Sequence, residues 1–376
     1  MSRVIIIQRL VPHYRIPVFA QLHRELGWEV VASDRPVANG LELARPEDHK
    51  WLHPVPMTMS SNNFYRAYVP MGRIMREFKP DALVAEFSLQ LSSSWQLALG
   101  PKKVPFAFWS QGWNLERGFD SWHDRLIQQI RLMLQQRADA QLCYSDQGAA
   151  YLRSQLPAEM PICVAQNAID IGQYVDVPKK RQPGIQLLYV GRLNADKRVD
   201  VLIEAFRHLK DKGLIDRLVI VGDGPEGEAL RRLAGAIDGI TLAGACYDED
   251  KLAEIYAASD LFVVPGSAGL SVNHALAYAL PVLLFDDAAA MRHHPEHSTV
   301  INGVSGFRIA GSGIEELAAG IAKIFSGPLL PRQGLAESIR SFAAEAISID
   351  RMIEGFRELD GILTKQAARM QHRHNG

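Results

Sequence analysis

The fold of this chain is decided by the stretch Leu187-Leu188-Tyr189-Val190-Gly191-Arg192-Leu193-Asn194-Ala195-Asp196-Lys197-Arg198. A short apolar run ends at Gly191, and a helical pattern from Val199 to Leu209 follows a polar loop. This order is typical of a strand, loop and helix in an open α/β sheet, where ligands bind at the carboxyl ends of the strands. It predicts that Arg192 and Lys197 face a ligand. The alternative is a solvated loop that carries surface cations.

The cations of this loop favour an anionic ligand. Lys197 and Arg198 stand at the start of the predicted helix, where the helix dipole disfavours a cation by up to about 1 kcal/mol. A bound phosphate would remove this penalty, because helix N-termini and basic side chains both attract phosphate. We therefore expect a phosphate-bearing ligand at this edge of the sheet.

The composition is that of an ordinary globular protein. The chain has 376 residues, of which 47% are apolar and 22% are charged, and this length predicts two or three domains. The formal net charge of −1 gives no sign of nucleic-acid binding. The three cysteines have neither metal-ligand spacing nor a disulfide framework, and the apolar run Val4–Ile7 is too short for a signal peptide. We expect a cytoplasmic protein.

One segment resembles a membrane span. Residues 261–285 carry no formal charge, but prolines, glycines and polar residues divide them. The pattern predicts a buried strand at Leu261–Val264, a helix at Ser271–Ala279 and a strand at Pro281–Phe285.

Short apolar runs alternate with longer helical patterns, which indicates doubly wound parallel sheets of an α/β protein. A polar stretch, 176–184, contains Pro178, Pro183 and Gly184 and reads as a linker between two α/β domains. The predicted bounds are 1–175 for the first domain, 185–350 for the second and 351–376 for a last helix. The predicted strands are Val4–Ile7, Glu29–Ala32, Ala82–Ala85, Pro105–Trp109, Ala140–Tyr144, Ile162–Ala165, Ile185–Val190, Arg217–Val221, Ile240–Ala243, Leu261–Val264, Val282–Phe285, Val300–Ile301 and Gly306–Ile309.

Five ordered motifs of the second half resemble the retaining glycosyltransferases of family 4, also called glycosyl transferase group 1. The first half resembles this family in Pro12-His13-Tyr14-Arg15-Ile16-Pro17, in Tyr144-Ser145 and in Gln166-Asn167-Ala168-Ile169-Asp170. The motifs of the second half are Val190-Gly191-Arg192-Leu193 with Lys197, Ile220-Val221-Gly222-Asp223-Gly224-Pro225, Leu242-Ala243-Gly244 with the run Leu252–Asp260, Ala275–Val282, and Asn302-Gly303-Val304-Ser305-Gly306-Phe307.

The resemblance implies the GT-B fold, with two Rossmann-like domains on either side of a central cleft and the last helix crossing back to the first domain. It implies a nucleotide-diphosphate sugar as donor, bound by the second domain, with Gly191, Arg192 and Lys197 at the diphosphate and no metal cofactor. Fixed cations would stabilise the negative charge that builds on the leaving nucleoside diphosphate. The first domain would bind the acceptor, which we expect to be a glycan, lipid-linked or part of a polysaccharide or lipopolysaccharide.

The family's pair of glutamates, E-x7-E, is missing. In the alignment on Ala275–Val282, His274 takes the second glutamate position, which holds the ribose in the family, and Gly266 takes the first. A histidine can hydrogen-bond a hydroxyl, so we expect His274 to bind the donor; a packing role is the alternative. The role of the first glutamate would pass to the backbone amides of the following loop, including Gly269, Leu270 and Ser271.

In the first domain, Gln111 takes the position of a family histidine near the donor sugar, and Trp109 and Trp113 are candidates for stacking on a sugar or for packing. His13 and Arg15 follow the first strand and would face the cleft, with Arg15 as a third cation; the alternative for Arg15 is an exposed residue at the start of a helix. Glu86 ends a strand and is our acidic candidate on the acceptor side. These five candidates lie near the carboxyl ends of predicted strands: His13, Arg15, Glu86, Trp109 and Gln111.

Two other patterns allow two interpretations each. The run Arg292-His293-His294-Pro295-Glu296-His297 predicts a polar loop near the nucleotide rather than a zinc site, because the proline breaks the helical spacing of ligands. The helical pattern 122–137 predicts an amphipathic helix that faces the core; the alternative is a surface that contacts anionic lipid at the inner membrane.

Three functions remain open from the sequence. The first is a retaining hexosyltransferase, and the second is a nucleotide-sugar epimerase of the same fold. The third is a non-catalytic relative that binds a sugar nucleotide or glycan, suggested by the missing glutamates. The sequence identifies neither the nucleobase, the sugar, the acceptor nor the oligomeric state.

Overall fold

The computed structural model describes residues 2–34, 42–59, 67–112, 121–172, 183–287, 291, 293–326 and 332–375. These form two compact units: unit 1 comprises Met1–Asp170 with Ile349–Gly376, and unit 2 comprises Ile171–Ser348. Residues 176–182 of the predicted linker lie outside the described ranges.

Unit 1 contains a seven-stranded parallel sheet and a two-stranded antiparallel sheet. The strand order of the large sheet is β3-β2-β1-β6-β7-β8-β9, so the order reverses between β1 and β6. The strands are β1 (Val4–Ile7), β2 (Glu29–Ser33), β3 (Leu52–Val55), β4 (Thr58–Met59), β5 (Ala67–Tyr68), β6 (Ala82–Glu86), β7 (Phe106–Ser110), β8 (Ala140–Cys143) and β9 (Ile162–Val164).

Unit 2 contains a six-stranded parallel sheet in the order β12-β11-β10-β13-β14-β15, which reverses between β10 and β13. Its strands are β10 (Gln186–Val190), β11 (Arg217–Val221), β12 (Ile240–Gly244), β13 (Leu261–Val264), β14 (Val282–Phe285) and β15 (Gly306–Ile309). The predicted strand at Val300–Ile301 is wrong, because these residues lie between a 3-10 turn and β15 and form no ladder.

Helices connect the strands in both units, and the predicted α/β class is confirmed. Those of unit 1 are α1 (Ile16–Leu26), α2 (Met71–Phe78), α3 (Ser92–Leu99), α4 (Trp122–Gln135) and α5 (Asp146–Gln155). Those of unit 2 are α6 (Val199–Lys210), α7 (Gly227–Ala234), α8 (Glu249–Ala258), α9 (Ser271–Ala277), α10 (Ile314–Ser326) and α11 (Arg332–Ala346).

Both faces of each sheet are covered, which explains the continuous apolar strands of the sequence. In β1, Val4 and Ile6 belong to one core cluster, whereas Ile5 and Ile7 belong to the cluster on the other face. The apolar segment 261–285 forms β13, α9 and β14, as predicted. In the described part of the chain, no helix has the length and apolar character needed to span a membrane.

The C-terminal helix α12 (Ile349–Asn375) packs on unit 1. Phe356 stands edge-on to Trp28, whose ring N–H donates a hydrogen bond of 3.0 Å to Asp360. Gly355 allows the close approach of this helix to β9, because a Cβ at this position would lie 2.0 Å from the carbonyl oxygen of Val164.

Candidate functional site

The loops after β10 and β11 pack backbone against backbone. The N–H of Gly191 donates to the carbonyl of Val221, and the N–H of Leu193 donates to that of Asp223, both at 3.0 Å. Gly222 has φ +143°, and a Cβ there would lie 1.8 Å from the carbonyl oxygen of Gly191. Only glycine fits this contact, so the turn Gly222–Gly224 fixes the path of the loop that carries Arg192.

Lys197 is a largely buried cation that joins this loop to the loop after β13. It ends a 3-10 turn, Ala195–Lys197, and its Nζ donates a hydrogen bond of 2.8 Å to the carbonyl oxygen of Ser267. The side chain is 18% exposed, and burial lowers the pKa of its ammonium, although the carboxylates of Asp196 and Glu296 act in the opposite direction. The turn lies where the strand order reverses between β10 and β13, the position at which open α/β sheets bind ligands.

Gly266 brings the loop after β13 against the same turn. A Cβ at Gly266 would lie 2.3 Å from the carbonyl oxygen of Asp196, and the N–H of Ser267 donates to that oxygen at 2.9 Å. A Cβ at Gly269 would stand 3.9 Å from Nζ of Lys197. The position of the missing first glutamate therefore has no room for a side chain, and the turn and the loop form one structure.

The other predicted residues of unit 2 lie around this structure. Arg192 is exposed, and its carbonyl oxygen accepts a hydrogen bond of 3.0 Å from the hydroxyl of Tyr189. Leu270 and Ser271 are partly exposed at the start of α9. Arg198 adopts φ +51° before α6, and its Nη1 contacts the sulfur of Met291 at 3.5 Å.

His274 lies on α9 and keeps part of its surface accessible. Packing around its ring lowers the pKa of the imidazole to about 4, because burial disfavours the charged form. The ring is therefore neutral at physiological pH, with one nitrogen that donates and one that accepts. This state suits a hydrogen bond to a hydroxyl and does not suit an ion pair with phosphate.

His293 is buried and ties this loop to the sheet. Its Nδ1 accepts a hydrogen bond of 2.9 Å from the N–H of Ala268, and its Nε2 lies 2.9 Å from the carbonyl oxygen of Phe285. His297 stacks on His293 at 4.4 Å and contacts Arg308 through its ring nitrogens. Within the described ranges, no cluster of three or more histidine, cysteine or acidic side chains has a geometry that could hold a metal ion.

Arg15 is not an exposed residue at the start of a helix. Its side chain is 7% exposed and lies within unit 1, 5.4 Å from the ring centres of Trp109 and Tyr144. One guanidinium nitrogen donates to the amide oxygen of Asn167, and another contacts the sulfur of Met352. Arg15 is therefore held by aromatic rings and by the C-terminal helix, and its role as a third cation stays a prediction.

Of the two interpretations of Trp109, packing is the one that the structure supports. This side chain is 1% exposed, lies against Tyr144 at 4.8 Å and is edge-on to Phe356 at 5.1 Å. It is a core residue of unit 1. Trp113, the second candidate, lies outside the described residues.

Glu86 and Gln111 lie at the same edge of the unit 1 sheet. Glu86 is the last residue of β6, and its carboxylate accepts a hydrogen bond of 3.3 Å from the N–H of Arg9. Gln111 directly follows the adjacent strand β7. The backbone carbonyl oxygen of Gln111 leaves no space for a Cβ at Gly148. Both side chains are partly exposed, and His13 is exposed in the turn before α1.

Helix α4 buries some of its apolar side chains and exposes others. Leu134 belongs to a core cluster of unit 1 and Leu132 to another, and Ile127 and Ile130 are partly buried. Two glutamines are buried beside them: Gln128 donates to the hydroxyl of Tyr151 at 2.9 Å, and Gln135 donates to that of Ser110 at 3.3 Å. Three apolar residues of the helix are exposed: Trp122 by 76%, Leu126 by 50% and Met133 by 45%. The core-facing interpretation is therefore wrong for these three residues only.

The structural roles of Gly266 and His293 could not be predicted from the sequence. Gly266 is recognisable only as a glycine after a buried strand, which is a common sign of close backbone approach. His293 has no distinguishing spacing, since its partner Ala268 lies 25 residues away.

The second half of the chain matches a known family. Residues 184–326 match the family model described as Glycosyl transferases group 1. "Uncharacterized glycosyltransferase MJ1069" of Methanocaldococcus jannaschii is 27% identical over 50% of this chain and 48% of its own length. The GDP-mannose-dependent alpha-(1-6)-phosphatidylinositol dimannoside mannosyltransferase of Mycobacterium tuberculosis is 34% identical over 27% of each chain. The resemblance seen in the sequence is thus confirmed.

Solved structures share the fold over nearly the whole chain. Sucrose-phosphate synthase from Thermosynechococcus elongatus superposes with a TM-score of 0.70 at 18% identity, over 97% of this chain and all of that structure. Anabaena Alr3699/HepE in complex with UDP superposes with a TM-score of 0.69 at 16% identity, over 96% of this chain and 99% of that structure. The predicted GT-B fold is confirmed. The chain spans about half the length of the first curated relatives.

Proposed function

We propose that this protein is a retaining, metal-independent glycosyltransferase that moves a hexose from a nucleotide-diphosphate sugar to a glycan acceptor. One observation carries the proposal: Lys197, in the region that matches the family, holds its ammonium beside Gly269 where the strand order reverses. The UDP named for a structural neighbour supports a nucleotide as the ligand. The names of the relatives support glycosyl transfer.

The chemistry follows from the charges of the site. As the bond between the sugar and the diphosphate breaks, negative charge builds on the departing phosphate oxygen. Lys197 and Arg192 stabilise this charge, which a preorganised cation does without reorganisation. In a front-face retaining reaction the departing oxygen takes the proton of the acceptor hydroxyl, and that hydroxyl oxygen bonds to the anomeric carbon. No separate base is required, which agrees with an amide at Gln111.

A transfer assay tests this function. Purified protein is incubated with UDP-hexoses or GDP-hexoses and a glycan acceptor, with and without excess EDTA. We expect an α-configured product to form from an α-configured donor and to form equally in EDTA, because side-chain cations neutralise the diphosphate. Abolition by EDTA with rescue by magnesium would contradict metal independence. Conversion of the donor alone into an epimer would show the epimerase instead.

The missing glutamates leave a second candidate, a non-catalytic protein that binds a sugar nucleotide. Gly266 favours this candidate, since the close contact with Asp196 leaves no room for a carboxylate there. The same assay separates the two functions. Nucleotide binding without transfer to any acceptor in the panel would support the binding protein.

We further propose that His274 hydrogen-bonds the ribose of the donor. His274→Ala is expected to weaken binding of the nucleoside diphosphate by about 1–2 kcal/mol, the scale of one hydrogen bond in a partly desolvated site. His274→Glu should recover part of this loss, because a carboxylate accepts from two hydroxyls. Calorimetric titration measures the affinities. Wild-type affinity in His274→Ala, together with a lower melting temperature, would show a packing residue.

We propose that α4 docks unit 1 on an anionic membrane surface, where a lipid-linked acceptor would be found. Trp122, Leu126 and Met133 are spaced to share one face of the helix, and the exposed Arg125 lies beside them. An exposed apolar face flanked by a cation is typical of interfacial helices. The lipid acceptor in the name of a mycobacterial relative supports this acceptor class.

Co-sedimentation with vesicles tests the docking surface. Wild-type protein should sediment with phosphatidylglycerol vesicles at low salt and leave them at high salt, because salt screens surface charges. The double variant Trp122→Ser, Leu126→Ser should bind at least tenfold less, about 1.4 kcal/mol. Leu99→Ser, at a residue on α3 that is 61% exposed, is the matched control and should bind as wild type does. If the double variant bound the vesicles as well as wild type does, α4 would not be the docking surface.

A further inference from the structure

The loop after β13 is held in place by two hydrogen bonds, one to the backbone N–H and one to the backbone carbonyl oxygen of Ala268. Its N–H donates a hydrogen bond of 2.9 Å to Nδ1 of His293, and its carbonyl oxygen accepts one of 3.2 Å from the N–H of His294. Ala268 is fully buried and His293 is 3% exposed, so water does not replace these bonds. The segment 293–294 therefore sets the position of this part of the loop.

The tautomer and orientation of His293 are determined by its partners. An amide N–H meets Nδ1, which must therefore accept, and a carbonyl oxygen, that of Phe285, meets Nε2, which must therefore donate. The ring also stacks on His297 at an interplanar angle of 17°. One neutral imidazole thus connects the end of β14 to the loop.

The same loop is also held by the turn Ala195–Lys197. The carbonyl oxygen of Ser267 accepts a hydrogen bond of 2.8 Å from Nζ of Lys197, and the N–H of Ser267 donates one of 2.9 Å to the carbonyl oxygen of Asp196. Ser267 and Ala268 are adjacent. A shift of Ala268 would therefore move the carbonyl that directs the Lys197 ammonium.

We propose that His293 is a positioning residue for the donor site, which fixes Ala268 and, through the Ser267 carbonyl, the ammonium of Lys197. This inference rests on the proposed function, in which Lys197 neutralises the diphosphate. A buried histidine outside the family's motifs would thus determine where the Lys197 ammonium stands in the transition state. The critical contact is the hydrogen bond from Ala268 to Nδ1.

Two amide substitutions separate this role from simple packing. His293→Asn places an amide oxygen near the position of Nδ1 and keeps an acceptor for Ala268. His293→Gln reaches the position of Nε2 and keeps the donor to Phe285, but it removes that acceptor. We expect kcat/KM for the donor to fall at least tenfold in His293→Gln and less than about threefold in His293→Asn, with similar melting temperatures. Equal losses in both variants, or a loss in neither, would overturn the proposal.

Amide hydrogen exchange provides a readout that needs no nucleotide. The N–H of Ala268 should exchange faster in His293→Gln than in wild type, and at the wild-type rate in His293→Asn. His208→Gln, on the partly exposed face of α6, is the control and should change neither exchange nor activity. If no nucleotide bound to wild type, the proposed function would fail, while the exchange data would still decide whether His293 holds the loop. If the Ala268 N–H of His293→Gln exchanged at the wild-type rate, His293 would not be what holds the loop.

Discussion

Lys197→Ala lowers kcat by about 100-fold or more, the usual effect of removing one preorganised donor to a developing charge. The side chain is mostly buried and fixed by Ser267, so its charge is weakly screened by water. Arg192 is exposed, so we expect Arg192→Ala to cause a smaller loss, of about tenfold or 1.4 kcal/mol. Initial rates of sugar transfer at saturating donor measure both effects.

The controls for Lys197 separate catalysis from folding. Lys212→Ala removes an exposed lysine just after α6 and should leave kcat unchanged. Circular dichroism should show the same fold for all three variants. A Lys197→Ala enzyme that retains kcat within about threefold of wild type would refute the role of this ammonium.

Gly266→Ala is expected both to destabilise unit 2 and to weaken nucleotide binding at the donor site. The added Cβ would lie 2.3 Å from the backbone oxygen of Asp196 and 2.7 Å from the carbonyl carbon of Lys197, so the turn must move. Overpacking of this kind lowers the free energy of unfolding by about 1–3 kcal/mol. Gly266→Glu, which restores the family's first glutamate, should be destabilised at least as much and should gain no activity.

Thermal unfolding and nucleotide titration measure the effects at Gly266. Gly361→Ala is the matched control, because this glycine is exposed on the C-terminal helix and a Cβ there meets nothing within 4 Å. It should leave stability unchanged or raise it by up to about 1 kcal/mol, since alanine favours the helix. A stable Gly266→Glu variant with raised transfer activity would show that the contact with Asp196 is not limiting.

The alternation of buried strands could be predicted from the sequence, because strands covered on both faces must be apolar throughout. Four strands of unit 2 have the predicted bounds: Arg217–Val221, Leu261–Val264, Val282–Phe285 and Gly306–Ile309. Strand β3 could not be predicted, because Pro54 reads as a break. This proline is tolerated because β3 is the edge strand of its sheet.

The candidate site was predictable where it depends on local sequence and not where it depends on distant contacts. Lys197 could be identified from the strand and loop that precede it. The burial of Arg15 could not, because its surroundings combine Trp109, Tyr144 and Met352, which are far apart in the chain. The orientation of helix α4 was predictable only in part, because its buried face combines Leu132 and Leu134 with two glutamines that find hydroxyl partners inside unit 1, whereas Trp122, Leu126 and Met133 are exposed.

Thermal unfolding with UDP and with GDP measures directly whether unit 2 binds a nucleoside diphosphate at Lys197. We expect one nucleotide, at 100 times its dissociation constant, to stabilise wild-type protein by about 2.7 kcal/mol. The same concentration should stabilise Lys197→Ala by much less. Binding at Lys197 is contradicted if neither nucleotide raises the unfolding temperature of wild type, or if Lys197→Ala responds as wild type does.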